Sequence, residues 1–340
     1  MASTAQGPEI IKLNDVQSTF ADKTKLRTLL TSQPRKLHAA LSYNEEGSES
    51  FSDLLNQPEY YLAHAERRLL KRDGANIIAT ADPDYIIDLG CGGMEKVQIL
   101  LHEATKRKGK ISFAPCDIDD SIIKKGIERL SYFYGQDIDF LPVQGTFEDS
   151  IDWTERLNGN RLFTFLGSTY GNFTRAEKDT FLTRLTRRMG DGDSFLLALD
   201  LEKDRETMER AYRDSGGCVR QGVIQALVNL NDCYGANFDV DKFDHLAVYE
   251  AERKAIVEYL VNRERQLVDI PYLDLQIDIQ EGERFETEFS EKFVLEDVMT
   301  DMARWNLVPA QLYMDVEHKY TAVLFQRRAG EAANALQAAA

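Results

Sequence analysis

The sequence predicts an α/β fold in which a doubly wound, Rossmann-like parallel sheet is joined to a second, α+β domain. Two observations support this prediction. Between residues 85 and 201, five short apolar runs alternate with turns and amphipathic helical segments, as in a parallel sheet with helices on both faces. After residue 204, apolar and polar residues alternate one by one, which is typical of half-buried antiparallel strands.

The five predicted parallel strands are separated by segments with helical or turn character. They span Tyr85 to Leu89, Ile111 to Cys116, Ile138 to Val143, Arg161 to Leu166 and Ser194 to Leu201. Apolar residues recur at helical spacing between Val97 and Ala104, which predicts a helix after the first strand. The capping box from Thr174 to Glu177 predicts the start of the helix before the last strand.

Three alternating runs predict antiparallel strands in the following segment. They are Ala255 to Val261, Leu273 to Ile279 and Phe285 to Phe289. A helical pattern then extends from Leu295 to Trp305, and two further strands are predicted over Ala310 to Asp315 and Tyr320 to Arg327. We expect the parallel-sheet domain to resume at this helix.

Both domains are therefore predicted to be discontinuous in sequence. We assign residues 66–200 and 292–328 to the parallel-sheet domain and residues 1–65 and 201–291 to the α+β, substrate-binding domain. The alanine-rich residues 329–340 predict a disordered tail.

The composition argues against several classes of function. The 340 residues carry a formal net charge of −16, which disfavours nucleic-acid binding because such surfaces are basic. No apolar run approaches the roughly 20 residues that a membrane helix needs. Scattered cysteines without a Cys-x-x-Cys pair indicate a reduced, cytoplasmic protein with no bound metal: Cys91, Cys116, Cys218 and Cys233.

An apolar strand beginning at Tyr85 breaks into a glycine-rich turn that a helical pattern follows. Gly90, Cys91 and Gly92 form this turn, where glycine lets the backbone bend tightly and approach a ligand. The spacing lacks the third glycine of the dinucleotide motif and the Gly-Lys-Ser/Thr of phosphate loops. The turn is typical of the loop with which methyltransferases bind S-adenosylmethionine.

Further candidates for cofactor binding follow the ends of the predicted strands, because ligands of open parallel sheets bind at the carboxyl edge. Asp117 is placed to accept hydrogen bonds from two ribose hydroxyls. Phe147 is placed to pack on adenine, with Thr146 or Glu148 bonding to the edge of the base. Lys96, after the glycine turn, completes a predicted S-adenosylmethionine site whose product is S-adenosylhomocysteine.

Seven segments occur together and in order between about residues 41 and 327. They are Tyr43-Asn44-Glu45-Glu46-Gly47-Ser48, Pro58-Glu59-Tyr60-Tyr61, Asp88-Leu89-Gly90-Cys91-Gly92, Leu166-Gly167-Ser168-Thr169-Tyr170-Gly171-Asn172, Arg210-Ala211-Tyr212, Phe243-Asp244-His245 and Glu288-Phe289-Ser290-Glu291-Lys292-Phe293. In this combination the chain resembles the histidine α-N-methyltransferases of ergothioneine biosynthesis and the related fungal dimethylallyltryptophan N-methyltransferases. The resemblance implies a class I methyltransferase fold and a monomeric enzyme that methylates a nitrogen of a free amino acid bound between two domains.

The resemblance also implies roles for individual residues. Asn172 and Tyr212 match family positions that hold the substrate carboxylate. Tyr43 and Tyr60 match tyrosines that line the amine and cofactor site, and Gly167 matches a backbone contact near the transferred methyl group. An amide and a phenol can donate to a carboxylate without placing another full positive charge beside the sulfonium.

Glu288 and Ser290 share one face of their predicted strand, because side chains two residues apart point the same way. The matching family pair contacts the imidazole of the substrate. The family's histidine enzymes carry a methionine on an adjacent strand, where this chain has Glu258. Two carboxylates in one pocket favour a cation, and a guanidinium can satisfy both. We therefore expect L-arginine as the substrate, methylated on a guanidino nitrogen or on its α-amine, with Glu258, Glu288 and Tyr43 as catalytic residues.

Other functions remain open at the level of the sequence. L-Histidine, methylated on its α-amine, is the alternative substrate, and a non-catalytic S-adenosylmethionine-binding regulator is an alternative of another class. An indole or phenethylamine substrate is disfavoured because an apolar ring would leave both carboxylates unpaired. We expect a small-molecule partner in each case, and neither a nucleic acid nor a membrane.

Overall fold

The computed structural model describes residues 8–13, 22–42 and 44–327 and confirms the predicted α/β fold. Tyr43 and the alanine-rich segment 329–340, predicted to be a disordered tail, lie outside the described residues. The chain divides into two compact units: a first unit of residues 1–14, 65–201 and 293–340, and a second unit of residues 15–64 and 202–292. Within the described ranges, no helix has the length and apolar character needed to cross a bilayer.

The strands are numbered in chain order. They are β1 (Ile11–Lys12), β2 (Arg35–Lys36), β3 (Tyr85–Leu89), β4 (Ile111–Asp117), β5 (Ile138–Phe140), β6 (Val143–Gln144), β7 (Arg161–Phe165), β8 (Ser194–Asp200), β9 (Phe243–Glu250), β10 (Ala255–Asn262), β11 (Gln266–Ile270), β12 (Leu275–Ile279), β13 (Arg284–Glu291), β14 (Leu307–Asp315) and β15 (Tyr320–Arg327).

The α-helices of the described residues are numbered in the same way. They are α1 (Lys23–Thr31), α2 (Glu45–Leu54), α3 (Tyr61–Ala81), α4 (Val97–Lys108), α5 (Asp120–Tyr134), α6 (Phe147–Trp153), α7 (Arg175–Arg188), α8 (Arg205–Ala211), α9 (Cys218–Tyr234) and α10 (Leu295–Ala303).

One large sheet organises the first unit. Its strand order is β1-β6-β4-β3-β7-β8-β15-β14, with β5 also paired to β4. In this order, every neighbouring pair from β1 through β6, β4, β3 and β7 to β8 is parallel, whereas β15 pairs antiparallel with both β8 and β14. From β3 the chain proceeds to β4 on one side and later to β7 on the other, so the topological switch point lies beside β3.

Aromatic packing anchors the helices of the first unit to this sheet. The rings of Phe165 on β7 and Phe181 on α7 stack with centroids 4.8 Å apart, and both side chains are fully buried. Phe147, the first residue of α6, meets Phe165 edge to face at 5.1 Å. Because β7 is a central strand, this cluster fixes the start of α6 relative to the switch point.

The second unit contains a four-stranded sheet of order β2-β13-β10-β9 and a separate hairpin of β11 and β12. The alternating runs over β10 and β13 are paired as antiparallel strands, with Glu258 directly opposite Glu288. The predicted run from Leu273 pairs with β11 instead, and it begins only at Leu275 because Pro271–Leu273 form a 3₁₀ turn. Strand β9 was not predicted, since its segment lacks strict apolar and polar alternation.

Candidate active site

The glycine turn predicted to bind the cofactor follows β3 at the switch point. Gly90 has φ +74° and Gly92 has φ +47°, values that L side chains rarely adopt. A Cβ atom on Gly90 would lie 3.1 Å from Cε1 of Phe147. The absence of a side chain at residue 90 therefore lets the Phe147 ring pack directly against the turn.

Asp117 ends β4, the neighbour of β3, and its carboxylate reaches the glycine turn. Its Oδ2 accepts from the Gly92 N–H at 3.0 Å, and its Oδ1 accepts from the Asp119 N–H at 3.1 Å. Burial raises the pKa of Asp117. Cys91 is also buried, and burial raises the pKa of its thiol, which therefore stays protonated near neutral pH.

Thr146 has a structural role at the start of α6. Its Oγ1 accepts from the Asp149 N–H at 3.2 Å, so the threonine is the N-cap of the helix that carries Phe147. The structure thus groups Gly90, Gly92, Asp117 and Phe147 around the switch point, as the sequence predicts.

An ion pair lies against Gly167. Lys96, one of its members, was predicted as a site residue, whereas the other, Glu66, was not. Glu66 on α3 is fully buried; its Oε1 accepts from the Gly167 N–H at 2.8 Å, and its Oε2 lies 2.9 Å from the Lys96 ammonium. A Cβ on Gly167, whose φ is +77°, would come within 2.7 Å of Lys96 Nζ. Glu66 carries no sequence motif, because only the packing of α3 brings it to the loop after β7.

Asp88 on β3 is the other buried carboxyl group beside this pair. Its Oδ1 accepts from the Thr164 hydroxyl at 2.6 Å. Burial raises the pKa of Asp88 to about 7, with the hydrogen bond from Thr164 and the charge of Lys96 opposing the shift.

Two carboxyl groups face each other across β10 and β13 in the second unit. Glu258 is 5% exposed, and burial followed by the charge of Glu258 raises the pKa of Glu288 to about 8. His245 on β9 places its Nε2 3.1 Å from Glu258 Oε2. The contact with His245 weakens the expectation that a substrate cation must compensate Glu258, because this carboxylate already has a partner within the chain.

Hydroxyl groups continue the same face of β13. Tyr212, at the end of α8, donates to Ser290 Oγ at 2.9 Å, and its ring meets the ring of Tyr60 edge to face at 5.9 Å. Lys292 is completely buried and donates to both hydroxyl oxygens, at 2.9 Å for Tyr212 and 3.0 Å for Ser290. The structure thereby joins Tyr60, Tyr212 and Ser290 and adds Lys292, which was not predicted as a site residue.

The predicted substrate residues do not all belong to the same unit. Tyr60, Tyr212, Glu258, Glu288 and Ser290 are part of the second unit. Gly167 and Asn172 belong to the first unit, where Asn172 ends the 3₁₀ turn Thr169–Asn172 and is exposed. The structure leaves the predicted catalytic role of Tyr43 as a prediction, because that residue is not among those described.

The glycine turn at the switch point and the polar face of β13 agree with the result of comparing the chain with known protein families. The model of the family described as "Histidine-specific methyltransferase, SAM-dependent" matches residues 22–327. The chain belongs to this family. It is an S-adenosylmethionine-dependent amino-acid N-methyltransferase of enzyme class EC 2.1.1. A small-molecule substrate, as predicted, is consistent with this class.

Named relatives give the same assignment. The histidine N-alpha-methyltransferase of Mycolicibacterium smegmatis is 34% identical over 291 residues, which cover 85% of this chain and 90% of the relative. The enzyme of the same name from Mycobacterium tuberculosis is 36% identical over 275 residues, covering 81% and 85%. A 4-dimethylallyltryptophan N-methyltransferase of Epichloe festucae var. lolii is 25% identical, covering 72% and 77%.

These relatives confirm the resemblance seen in the sequence but not the choice of arginine. The two mycobacterial relatives are named for histidine, so the comparisons support the alternative substrate better than the expected one. The non-catalytic regulator is likewise not supported, because the matched relatives are named as methyltransferases.

The cofactor loop can be tested with two glycine substitutions. Gly90→Ala and Gly109→Ala both place a side chain at positive φ, +74° and +76°, but only residue 90 has a neighbour, Phe147, within 4 Å of the new Cβ. We expect both variants to lose about 1 kcal/mol or more of stability from backbone strain. Only Gly90→Ala should weaken S-adenosylhomocysteine binding, by about tenfold or more in calorimetry. Equal affinities in the two variants would contradict a cofactor role for this turn.

The raised pKa of Glu288 predicts a specific pH dependence of stability. Its carboxyl group is more readily protonated in the folded state, with a pKa of about 8 against an ordinary value of 4.5. The folded protein therefore takes up a proton between these values, and the stabilisation present below pH 4.5 is lost as the pH rises through 8. Glu288→Gln, which cannot ionise, should gain at least about 1 kcal/mol relative to wild type between pH 5 and pH 8 in urea unfolding. A constant difference between the two proteins would show that Glu288 titrates normally.

Proposed function

We propose that this protein transfers a methyl group from S-adenosylmethionine to the α-amine of free L-histidine. The observation that carries the proposal is the face of β13, where the half-buried Glu288 is followed two residues later by Ser290, which is hydrogen-bonded to Tyr212. A carboxyl and a hydroxyl can bond the two nitrogens of an imidazole. The names of the mycobacterial relatives support the same substrate and the same nitrogen.

The residues of the first unit fit S-adenosylmethionine. The lack of a Cβ on Gly90 lets the Phe147 ring pack against the glycine turn, where this half-buried ring can offer an apolar contact to the adenine. The carboxylate of Asp117 offers two oxygens to ribose hydroxyls at the end of β4. The Lys96 ammonium, held by Glu66, supplies a cation for the carboxylate of the methionine part.

The reaction demands positioning rather than covalent catalysis. S-Adenosylmethionine supplies an electrophilic methyl group on a positively charged sulfur, and charge is lost at sulfur as the methyl group moves. The α-amine must present its lone pair about 3 to 3.5 Å from the methyl carbon, in line with the bond that breaks. The protein therefore has to hold the amino acid by groups other than this amine.

Separate side chains of this chain would hold the separate parts of histidine. Tyr212 and Asn172 would bind the carboxylate, and Tyr60 together with Tyr43 would line the amine. Glu288 and Ser290 would fix the imidazole. Each assignment follows the residue-by-residue resemblance, and the buried contact of Tyr60 with Tyr212 supports placing the amine next to the carboxylate.

L-Arginine, methylated on a guanidino nitrogen, is the second candidate, and one observation favours it. Glu258 stands directly opposite Glu288, and two carboxylates can share a planar guanidinium while orienting one nitrogen and accepting its proton. The contact of Glu258 with His245 weakens this argument, because the second carboxylate is then already engaged.

Substrate and methylated nitrogen can be tested together by fragmentation mass spectrometry of the products formed from histidine and from arginine. We expect wild type to yield histidine methylated on its α-amine. Glu288→Met should lose at least about 2 kcal/mol of transition-state stabilisation with histidine because the ring loses its partner. The matched variant Glu258→Met should retain histidine turnover within about fivefold. A product methylated on the guanidine of arginine, formed by wild type and lost in Glu258→Met, would establish the second candidate instead.

A further inference from the structure

A lysine that the resemblance assigns no role continues the polar face of β13. Lys292 is completely buried, and it lies one residue past the end of β13, two residues after Ser290. Its ammonium donates to Tyr212 Oη at 2.9 Å and to Ser290 Oγ at 3.0 Å. The ammonium also lies 4.7 Å from the centroid of the Tyr212 ring.

The hydrogen bonds among Lys292, Tyr212 and Ser290 decide which of their protons can face a ligand. An ammonium can only donate hydrogen bonds, so both hydroxyl oxygens accept from Lys292. Tyr212 gives its own proton to Ser290. Ser290 therefore accepts two hydrogen bonds, and its proton must point away from both donors. Toward a ligand, the three residues therefore offer the Ser290 proton and one positive charge.

We propose that Lys292 is a positioning residue: its hydrogen bond holds the Tyr212 oxygen so that the phenol proton can turn from Ser290 to the α-carboxylate of the amino-acid substrate, and its charge attracts this carboxylate. The inference rests on the proposed function and assigns the charge that attracts this carboxylate. An anion gains more than a neutral acceptor next to an ammonium in low-dielectric surroundings. A cationic side chain is repelled from the same position.

The spacing along β13 separates the two ends of the substrate. Glu288 lies two residues before Ser290 on the same face, which corresponds to about 6.6 Å along a strand. In histidine only Cα and Cβ stand between the carboxylate and the ring. The acidic end of the face thus suits the basic ring, while the cationic end at Lys292 suits the carboxylate.

The proposal is tested by comparing ligands with and without a carboxylate. Histidine and histamine are titrated calorimetrically into the protein saturated with S-adenosylhomocysteine, using wild type, Lys292→Met and Lys292→Arg. Lys292→Met should weaken the binding of histidine by about 30-fold or more and the binding of histamine by less than about threefold. Lys292→Arg, which keeps the charge and the donors, should restore at least about one-third of the loss on a logarithmic scale. Equal weakening of both ligands, or of neither, would overturn the proposal, because a merely structural lysine does not distinguish them.

A second variant keeps the test decisive if Lys292→Met does not fold. Lys292→Gln removes the charge but keeps a hydrogen-bond donor at this buried position, and it should show the same selective loss of histidine over histamine. The selectivity also has to appear in KM more than in kcat, since the carboxylate is bound equally before and during transfer.

Failure of the proposed function is recognised separately. If wild type turns over arginine and not histidine, the function proposed above is wrong, and the arginine and agmatine pair then provides the same carboxylate comparison for Lys292. If wild type turns over histidine and its preference over histamine survives in Lys292→Met and Lys292→Gln but is lost in Tyr212→Phe, only the role of Lys292 is wrong.

Discussion

The two-residue period of β13 is the constraint on which the chemistry of the second unit depends. It places the carboxyl group of Glu288 and the hydroxyl of Ser290 on one face, and the ammonium of Lys292, one residue past the end of the strand, donates to this hydroxyl. The antiparallel register with β10 then fixes Glu258 opposite Glu288, and desolvation, followed by the charge of Glu258, raises the pKa of Glu288. A shift of the register by one residue would turn all of these groups to the other face.

A different constraint forms the proposed cofactor site of the first unit. Parallel strands β3 and β4 end side by side, so the turn after β3 meets Asp117 without any long-range search of loop conformations. The aromatic cluster around Phe165 holds Phe147 against Gly90, where only glycine fits both the positive φ and the narrow space. Backbone geometry and side-chain packing therefore converge on one ligand position.

The sequence was sufficient for features that depend on local periodicity. The strands of the parallel sheet, the glycine turn, Asp117 and Phe147 follow from runs, turns and strand ends. Residues whose roles depend on packing between distant segments were missed. Glu66 reaches Gly167 only through the placement of α3. His245 lies in a quoted motif, but its contact with Glu258 depends on the pairing of β9 with β10, which sequence alternation did not predict.

That contact also explains why the sequence led to arginine. From the sequence, Glu258 and Glu288 on facing strands were interpreted as two charges that a substrate cation must compensate. In the folded chain, the imidazole of His245 contacts Glu258. Lys292 was part of a quoted segment, and its period with Glu288 and Ser290 was the signal that could have revealed it. Recognising its role requires its complete burial and its two hydroxyl partners, which only the structure shows.

The account is tested most directly by the crystal structure of the protein with S-adenosylhomocysteine and L-histidine. It predicts that a ring nitrogen lies within hydrogen-bond distance of the Glu288 carboxyl and that the α-carboxylate lies against the Tyr212 hydroxyl. A histidine bound in the reverse sense, with its carboxylate toward Glu288, or bound away from the face of β13, would contradict the account.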